Sequence, residues 1–298
     1  MEKKVVIEAR NLRKSFDDFE AVKGIDLEVF EGEIFGFLGP NGAGKTTSIR
    51  MLTTMLKPTS GQVIINGYSA EKDAILAKAS IGVSQQHISL DKDIKVRQNI
   101  KHHAMLRKIP FRDIEPRMKE LTELMGLGPF MDKMVVELSG GWRRKVSLVC
   151  SLIHDPKILF LDEPTAGLDT KSRHALWGII RQLNNKGTTI FLTTHYIEEA
   201  EGLCDRVAIV NLGKIVASGS PKELCDSVGH ITVEYVNRDG KRFGKQFPDR
   251  QSGKEFMETL KDDTNVTLRK TTLEDVFLIV TGEEYSKGGA DNKITENN

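Results

Sequence analysis

Hydrophobic and polar residues alternate in two segments near the start of the chain, VVIEARNLRKSF and AVKGIDLEVF. This period of two predicts antiparallel strands with one covered face, followed by a tight turn at residues 31–33. Three later runs are almost entirely apolar, which is typical of strands covered on both faces: IFGFLG, KILFLDEP and TTIFLTTH. Helical spacing separates these runs over residues 93–125 and 171–185. Strands that alternate with helices predict an α/β domain with a mainly parallel sheet.

The pattern changes near Pro221. A hairpin around VNLGKIVASG ends the first part, and two shorter segments, HITVEYV and KRFGKQF, follow it. The last periodic segment predicts a helix whose first turn has Thr272 and Asp275 as a capping box. The final residues are polar and lack periodicity, as in disordered segments. We therefore divide the chain into three parts: an α/β domain (1–220), a small α+β domain (221–282) and a disordered tail (283–298).

The composition limits the class of protein. Of the 298 residues, 39% are hydrophobic and 29% are charged, as in soluble globular proteins. The net charge of +1 lacks the positive excess of a nucleic-acid-binding protein, so we expect no nucleic-acid partner. The three cysteines, Cys150, Cys204 and Cys225, include no Cys-x-x-Cys pair, which predicts reduced thiols in buried positions. Because no apolar run approaches the roughly 18 residues of a membrane span, we expect a cytoplasmic protein that contacts membranes through a partner.

The segment GPNGAGKTT follows the first apolar strand and precedes a helix that we predict from about Lys45. It fits the pattern Gly-x-x-x-x-Gly-Lys-Ser/Thr of a phosphate-binding loop (P-loop). Glycines let successive N–H groups curl around phosphates, the lysine meets the β- and γ-phosphates, and the next hydroxyl binds Mg²⁺. A plain glycine turn is the alternative, but the preceding strand and the following helix favour a nucleotide site. The predicted nucleotide-binding residues are Gly39, Pro40, Asn41, Gly42, Ala43, Gly44, Lys45, Thr46 and Thr47.

Two adjacent carboxylates, Asp162 and Glu163, end the apolar segment ILFLDE. Carboxylates rarely occupy such a position without a partner, although a single Asp at a strand end can also be a helix cap. In a P-loop protein, the Asp after a second buried strand holds the Mg²⁺ shell. Glu163 beside it can polarise the attacking water as a general base. The sequence therefore predicts a hydrolytic nucleotide site.

Three further residues are weaker candidates. His195 ends the strand in TTIFLTTH, where a histidine bonded to the backbone is the ordinary interpretation. Gln86 ends the short strand in IGVSQQ, and Gln85 beside it is a rival; a polar loop residue is the simplest interpretation of both. Phe16 is most simply a core or turn residue. By themselves these residues do not define a site.

The octapeptide LSGGWRRK, Leu138–Lys145, has the features of a second anion-binding turn. Unsatisfied N–H groups point outward from a helix start, and glycines let an anion approach them closely. Three cations in the first turns oppose the helix dipole, which favours negative side chains there. We therefore expect a negative group nearby, even though the P-loop already supplies a phosphate site.

Taken together, these residues resemble the ATP-binding cassette (ABC) ATPases, which energise ABC transporters. The resemblance implies a P-loop NTPase core with a mainly parallel sheet, an antiparallel β subdomain and a helical subdomain over about residues 87–157. It also implies that the chain hydrolyses ATP with Mg²⁺. The match covers about residues 5–220, and the order of its motifs is distinctive: Gly39–Thr47, Gln86, Leu138–Gly141, Ile158–Glu163, Ala166–Asp169 and His195.

The resemblance gives roles to the weaker candidates. Phe16 would stack on adenine, and Gln86 would contact Mg²⁺ and sense a membrane partner. His195 would contact the γ-phosphate, and Asp169 would cross a dimer interface. The implied catalytic residues are Lys45, Glu163 and His195, and the implied metal ligands are Thr46, Gln86 and Asp162.

In this family, two cassettes pack head to tail, and the LSGG turn of one chain binds the γ-phosphate held by the other. The implied contacts are the Ser139 hydroxyl and the amides of Gly140 and Gly141. The resemblance therefore implies a homodimer that ATP binding closes and hydrolysis opens. Trp142 departs from the family pattern, which most often has Gln there. The change leaves the phosphate contacts in place and alters a side-chain contact near the partner's ribose.

The organisation of the chain also suggests its partner. One cassette without a membrane span implies a subunit that docks on separate membrane-spanning permease subunits, at the cytoplasmic face of the cell membrane. The ending TLEDVFLIVTG (Thr272–Gly282) resembles the appended region of drug- and antibiotic-export ATPases, which favours an exporter. A soluble ABC ATPase without a transport role is the alternative.

Overall fold

The computed structural model describes residues 3–237, 240–260 and 264–282. The chain divides into two compact units, the first ending at residue 218 and the second beginning at residue 219. Among the described residues, no helix combines the length and the apolar character that crossing a membrane requires.

Strands and helices alternate along the first unit. Its strands are β1 (Val5–Phe16), β2 (Phe19–Phe30), β3 (Ile34–Leu38), β4 (Ser60–Ile65), β5 (Tyr68–Ser69), β6 (Ile81–Ser84), β7 (Ile158–Asp162), β8 (Thr189–Thr194), β9 (Arg206–Asn211) and β10 (Lys214–Gly219). Its helices are α1 (Lys45–Leu52), α2 (Ala74–Ala79), α3 (Val96–Leu106), α4 (Phe111–Met125), α5 (Gly140–Leu152), α6 (Thr170–Asn185) and α7 (Ile197–Leu203).

These strands form two sheets. The first has the order β2-β1-β4-β5, and β1 pairs antiparallel with both β2 and β4. The second has the order β10-β9-β3-β8-β7-β6, and the pairs from β9 to β6 are parallel. The predicted antiparallel strand pair and the predicted parallel sheet are both confirmed.

The apolar strand runs predict burial on both faces, and the parallel sheet has it. Every residue of β3, β7 and β8 is buried. Phe191 of β8 packs against Phe35, Phe37 and Phe160, with ring centroids 5.3–5.6 Å apart. Apolar side chains of the antiparallel sheet join the same core. A core of this size fixes the strand ends on which the candidate site depends.

Helices α3, α4 and α5 lie between β6 and β7 in the chain, within the predicted helical subdomain. The buried side chains of α4 include Ile114, Met118, Leu121 and Met125, whose spacing of four, three and four residues makes one apolar stripe. Gly126 ends α4 with φ of 67°, a left-handed conformation that favours glycine.

The cysteine prediction is correct for two residues and wrong for one. Cys150 and Cys204 are buried, whereas Cys225 is only half-buried, and none of them forms a disulfide. Burial raises the pKa of the Cys150 thiol to about 12. Cys225 lies on a short amphipathic helix near the surface, where helical spacing alone does not fix the depth of burial.

The second unit has the predicted α+β character. Its strands are β11 (Ile231–Val236), β12 (Arg242–Phe247) and β13 (Thr264–Lys270), in an antiparallel sheet of order β12-β11-β13. Its helices are α8 (Pro221–Val228), α9 (Arg250–Thr259) and α10 (Leu273–Thr281). The predicted capping box of α10 is confirmed, because Thr272 N–H donates to Asp275 Oδ2 at 2.8 Å. The predicted disordered tail lies outside the described residues.

Candidate active site

The carboxyl ends of the parallel strands bring four candidate segments to one edge of the sheet. Leu38 of β3 lies beside Thr194 of β8, and Asp162 of β7 lies beside Thr193 of β8. Strand β6 continues the same parallel set beside β7. Because parallel strands end at the same edge, the segments that follow them start side by side. These segments are the P-loop after β3, the Gln86 loop after β6, Glu163 after β7 and His195 after β8.

Two glycines allow the P-loop to fold tightly against neighbouring strands. A Cβ atom at Gly39 would lie 2.3 Å from the carbonyl oxygen of Val210, so only glycine permits this approach. Gly44 has φ of 98°, and its Cβ would lie 2.6 Å from the carbonyl oxygen of Ala21. The helix α1 then begins at Lys45, as predicted. This strand–loop–helix arrangement is the context that a P-loop requires.

Lys45 lies between the P-loop backbone and Glu163. Its Nζ donates to the carbonyl oxygens of Gly39 and Pro40 at 2.8 and 3.0 Å, and it is 3.7 Å from Glu163 Oε1. The Lys45 side chain is only 5% exposed. Burial lowers the pKa of Lys45, and the negative charges of Glu163 and Asp162 partly offset that effect. The ammonium is therefore a buried cation held at the base of the loop.

The carboxylate of Glu163 is the centre of the cluster. Gln86 Nε2 donates to Glu163 Oε2 at 3.1 Å. His195 Nδ1 lies 3.3 Å from Oε1 without making a hydrogen bond. The backbone of Glu163 is left-handed with φ of 46°, and its N–H donates to Thr193 Oγ1 at 3.0 Å. Non-glycine residues in this conformation concentrate at functional sites. The structure thus brings Gln86, His195 and Lys45 together around one carboxylate.

The three predicted metal ligands line one cavity of about 80 Å³: Thr46, Gln86 and Asp162. Burial raises the pKa of Asp162, whereas the hydrogen bond that its Oδ1 accepts from Thr193 Oγ1 at 2.6 Å lowers it. Hydroxyl, amide and carboxylate oxygens suit Mg²⁺, which also keeps water and phosphate ligands. The described residues contain no cluster of three His, Cys, Asp or Glu side chains that would hold a metal alone. A magnesium ion here would therefore rely on the nucleotide for further ligands.

Phe16 lies at the end of β1, where a two-residue turn joins it to Phe19 of β2. Its side chain is 44% exposed, so the interpretation of Phe16 as a core residue is excluded. Lys14 Nζ lies 5.0 Å from the centroid of its ring. The ring therefore presents an accessible aromatic surface beside a cation, and adenine stacking stays a prediction.

The LSGG turn begins helix α5 at a separate place. Ser139 is the N-cap of α5, but its hydroxyl makes no capping hydrogen bond. Ser139, Gly141 and Trp142 line a cavity of about 200 Å³. None of the P-loop residues 39–47 lines this cavity. The two predicted phosphate sites of one chain therefore belong to different cavities.

Two of the three cations after the LSGG turn, Arg144 and Lys145, donate hydrogen bonds to main-chain carbonyl groups. The ring of Trp142 packs on Phe130 with centroids 4.2 Å apart, and Lys145 Nζ lies 4.4 Å from the Trp142 ring. Lys145 also donates to the carbonyl oxygen of Met125 at 3.0 Å. Arg144 points inward to main-chain carbonyl groups. Arg144 and Lys145 are thus bonded to carbonyl oxygens of their own chain, and the negative group that we expect near this helix start stays a prediction.

Asp169 is an N-cap in this structure. Its carboxylate accepts hydrogen bonds from Ser172 N–H at 2.9 Å and Ser172 Oγ at 2.7 Å, at the start of α6. These hydrogen bonds lower the pKa of Asp169. The side chain is exposed, and its role at a dimer interface stays a prediction.

The sequence interpretation missed two residues that shape the site. Thr193 joins the two carboxylate residues, because its hydroxyl donates to Asp162 and accepts from Glu163 N–H. The polar pair Thr193-Thr194 inside a buried strand was an available signal. Arg144 is the second missed residue. Its position on the buried face of α5, four residues before Leu148, was the signal there.

Comparison with known proteins shows the family. The ABC transporter family model matches residues 22–166. The daunorubicin resistance ATP-binding protein DrrA3 of Streptomyces coeruleorubidus is 36% identical over 297 residues, which cover 91% of this chain and 94% of that protein. The chain belongs to the ABC transporter ATP-binding family. The Nod factor export ATP-binding protein I of Cupriavidus metallidurans is 40% identical over 230 residues, or 77% and 76% of the two chains.

Solved structures show the same fold for this ABC ATPase. The cbiO1 protein of Clostridium perfringens, part of the ABC transporter complex cbiONQ, is 30% identical with a TM-score of 0.69. The alignment covers 75% of this chain and 91% of that one. An ATP-binding cassette of an ABC transporter in its ADP conformation is 27% identical with a TM-score of 0.66, covering 74% and 92%. The predicted family, fold class and ATPase activity are thereby confirmed.

Proposed function

We propose that this ABC ATPase is the energising subunit of an exporter and works as a head-to-tail homodimer on separate permease subunits. The observation that carries the proposal is the grouping of Lys45, Gln86 and His195 around the carboxylate of Glu163. These residues come from four separate segments of the chain. Such a grouping beside a P-loop suits hydrolysis of a nucleoside triphosphate.

Glu163 acts as the general base toward the attacking water. Gln86 holds Oε2 of its carboxylate, and Oε1 faces Lys45 and His195. A positioned base contributes about 10²- to 10⁴-fold to the rate. His195 faces the same carboxylate oxygen and contacts the γ-phosphate in the proposed site.

Lys45 binds the β- and γ-phosphates. Its ammonium donates to two neutral carbonyl oxygens, those of Gly39 and Pro40. Charged phosphate oxygens are stronger acceptors than neutral carbonyl oxygens, so a nucleotide competes well for these donors. The buried position of Lys45 strengthens the interaction further, since water screens it little.

Thr46, Gln86 and Asp162 hold Mg²⁺ with the nucleotide. They line one cavity, and Asp162 lies beside the general base in the chain. When bound, Mg²⁺ neutralises charge that develops on the transferred phosphate. Phe16 supplies the aromatic surface for adenine at the exposed end of the hairpin of β1 and β2.

Two chains form each active site. The LSGG turn and the P-loop of one chain line different cavities. Apart from its chain neighbours and the backbone of its own helix turn, a Cβ atom at Gly140 would meet no heavy atom of the described chain within 4 Å, so packing against other segments does not require glycine there. Close approach of a phosphate from a second chain gives a reason for it. The Ser139 hydroxyl and the amides of Gly140 and Gly141 then bind the γ-phosphate of the partner's ATP, and Asp169 lies at the same interface.

Relatives support the export role. The relatives named above are a daunorubicin resistance protein and a Nod factor export protein, and both matches extend across most of this chain. The match to DrrA3 includes 91% of the chain, more than the cassette of residues 1–220 alone. We therefore propose a place on the cytoplasmic face of the cell membrane, beside a permease that carries the cargo.

A complementation experiment tests the two-chain site. Lys45→Ala damages the P-loop side of a site, and Ser139→Ala damages the LSGG side. In a mixed dimer, one site carries both changes and the other carries neither. Each variant alone is therefore expected to be inactive, whereas random pairing of equal amounts restores roughly a quarter of the wild-type ATPase rate. A mixture that stays inactive, beside an active wild-type protein, would place each site within one chain.

A further inference from the structure

Every N–H group of the Arg144 guanidinium donates a hydrogen bond to a main-chain carbonyl oxygen. Nε donates to Pro164 O at 2.9 Å, and Nη2 donates to Asp162 O and Glu163 O at 3.0 and 2.6 Å. Nη1 donates to Gln85 O and Gln86 O at 2.5 and 3.2 Å. An arginine has five such donors, so none remains for another acceptor.

The five acceptors belong to the two loops that supply the catalytic cluster. Gln85 and Gln86 form the loop after β6, and the other three residues form the segment around the end of β7. The side chains of Gln86 and Glu163 bond to each other at 3.1 Å. Arg144 therefore binds the main chain of both loops, and a hydrogen bond between the Gln86 and Glu163 side chains joins the same loops.

Arg144 also belongs to the helix that begins at the LSGG turn. It lies five residues after Ser139 in α5 and lines the same 200 Å³ cavity as Ser139 and Gly141. An α-helix of this length moves as a rigid element, so displacement of its start displaces the Arg144 backbone as well. One side chain thus connects the turn that serves the partner's nucleotide with the loops that serve the chain's own nucleotide.

Arginine suits this position for a physical reason. The side chain is 5% exposed, and its five acceptors are neutral carbonyl groups that no single-point cation can reach together. Burial lowers the pKa of Arg144, and the charges of Asp162, Glu199 and Glu163 oppose that effect. A lysine has three donors on one atom and cannot bridge the two loops in the same way.

We propose that Arg144 is a positioning residue that couples the LSGG turn of a chain to the placement of Gln86 and Glu163 in the same chain. Arg144 holds the start of α5 and the two loops in a fixed relation, so it places the general base at the chain's own ATP and the LSGG turn at the partner's ATP. The inference rests on the two-chain function proposed above. A misplacement of about 1 Å in such a cluster can lower a rate about a hundredfold.

The first experiment separates positioning from folding in the full-length protein. Arg144→Met removes all donors, and Arg144→Lys keeps the charge without the five-bond geometry. Arg112→Met and Arg112→Lys are the control variants, because Arg112 is an arginine on α4 of the same helical segment and its side chain is 87% exposed. The measurements are binding of ADP, kcat and KM for ATP, and thermal unfolding.

The expected result is a split between binding and turnover. Both Arg144 variants should bind ADP within about threefold of wild type, because the P-loop is unchanged, and should lose at least tenfold in kcat. Both Arg112 variants should keep kcat within about twofold. The proposal fails if a folded Arg144→Lys protein keeps wild-type kcat, or if ADP binding falls in parallel with kcat, since parallel loss indicates a merely structural role.

The second experiment tests the connection between sites. In the mixed dimer of Lys45→Ala and Ser139→Ala chains, the working site takes Glu163 from the second chain and its LSGG turn from the first. Arg144→Lys is added either to the chain that supplies Glu163 or to the chain that supplies the turn. The proposal expects at least a tenfold loss of rate from both placements. Loss from only one placement overturns the coupling. If the mixture of Lys45→Ala and Ser139→Ala chains is inactive before Arg144→Lys is added, the two-chain function itself is contradicted. That outcome is distinct from a failure of the Arg144 proposal.

Discussion

The side-chain amide of Gln86 donates a hydrogen bond to the carboxylate of Glu163, with Nε2 and Oε2 3.1 Å apart. The two residues lie 77 positions apart in the chain, one in the loop that leads into the helical segment and the other at the end of β7. A movement of the helical segment therefore reaches the general base directly. This contact joins the part of the chain proposed to sense the permease to the part that hydrolyses ATP.

Glu163→Gln is expected to slow hydrolysis about 10²- to 10⁴-fold, because an amide cannot accept the proton of the attacking water. ATP binding should persist, since Lys45 and the P-loop backbone are unchanged. Steady-state ATPase rates measure the loss of hydrolysis, and equilibrium binding of ATP shows whether affinity persists. Glu198→Gln is the control, because the Glu198 side chain is exposed and lies 3.6 Å from Arg173 in a surface ion pair. A Glu163→Gln protein with a normal rate would assign the base elsewhere.

Gln86→Ala should lower kcat about tenfold or more, because it removes a hydrogen bond to a charged group worth about 1.5–3 kcal/mol. Gln85→Ala should change kcat less than about twofold, since the Gln85 side-chain amide donates to Met55 Sδ at 3.1 Å and the hydrogen bond to Glu163 comes from Gln86. Its main-chain carbonyl, which Arg144 uses, is unaffected. ATPase assays with the permease present also show whether Gln86→Ala weakens the response of ATPase activity to the permease more than Gln85→Ala does. The reverse ranking would make Gln85 the sensor.

Sequence alone predicted the elements that carry local signals. The P-loop residues follow a fully apolar strand, so their position after β3 was predictable from residues 34–47. Asp162 and Glu163 were likewise predictable as carboxylates at the end of a buried strand. Gln86 and His195 had no local signal strong enough by itself, and their roles came from the order of motifs in the family. The structure adds the reason that they meet, which is the shared edge of β6, β7 and β8.

The remaining features depend on contacts between distant segments. Arg144 meets carbonyl groups 18 to 59 residues away, and its place on the buried face of α5 does not show which carbonyl groups these are. Thr193 bridges two carboxylate residues because β7 and β8 are neighbours in register, which periodicity does not predict. Cys225 was mispredicted as buried because helical spacing identifies the apolar face of a helix but not how deeply that face is buried. These failures share one cause, because local sequence patterns do not show which distant segments pack together.

Asp275→Ala should destabilise the second unit by about 1–3 kcal/mol, because it removes the cap of α10 and one of the two carboxylate partners of Arg269, which keeps Glu234 at 3.2 Å. Asp275 is fully buried, accepts from both terminal nitrogens of Arg269 at 2.7 and 2.9 Å, and caps α10. Hydrogen exchange in β11 and β13 measures the loss. Glu274→Ala, at the exposed neighbouring position, is the control. ATP binding should be unchanged, since every predicted nucleotide contact precedes residue 218. Equal effects of Asp275→Ala and Glu274→Ala on hydrogen exchange would contradict the structural role of Asp275.

The last prediction concerns the two tryptophans, of which only Trp142 lines the cavity of the LSGG turn. Trp177 instead donates from Nε1 to the buried carboxylate of Glu199 at 3.0 Å. Because replacing Trp177 would leave that carboxylate without this donor, Trp142→Phe is the better reference. In a Glu163→Gln protein, ATP with Mg²⁺ is expected to hold the closed dimer and move Trp142 from a half-buried surface to a site beside the partner's nucleotide.

Closure should therefore shift or quench tryptophan emission as dimer appears by sedimentation, and ADP should do neither. The change should disappear in the Glu163→Gln, Trp142→Phe protein, which still dimerises because Ser139 and the glycine amides bind the phosphate. The Trp142 ring packs on Phe130 with centroids 4.2 Å apart. The alternative is therefore that Trp142 is a packing residue whose surroundings do not change when the dimer closes. Dimer formation with unchanged emission would support that expectation and place Trp142 away from the nucleotide. If ATP forms no dimer even beside the permease, the LSGG turn does not serve a second chain.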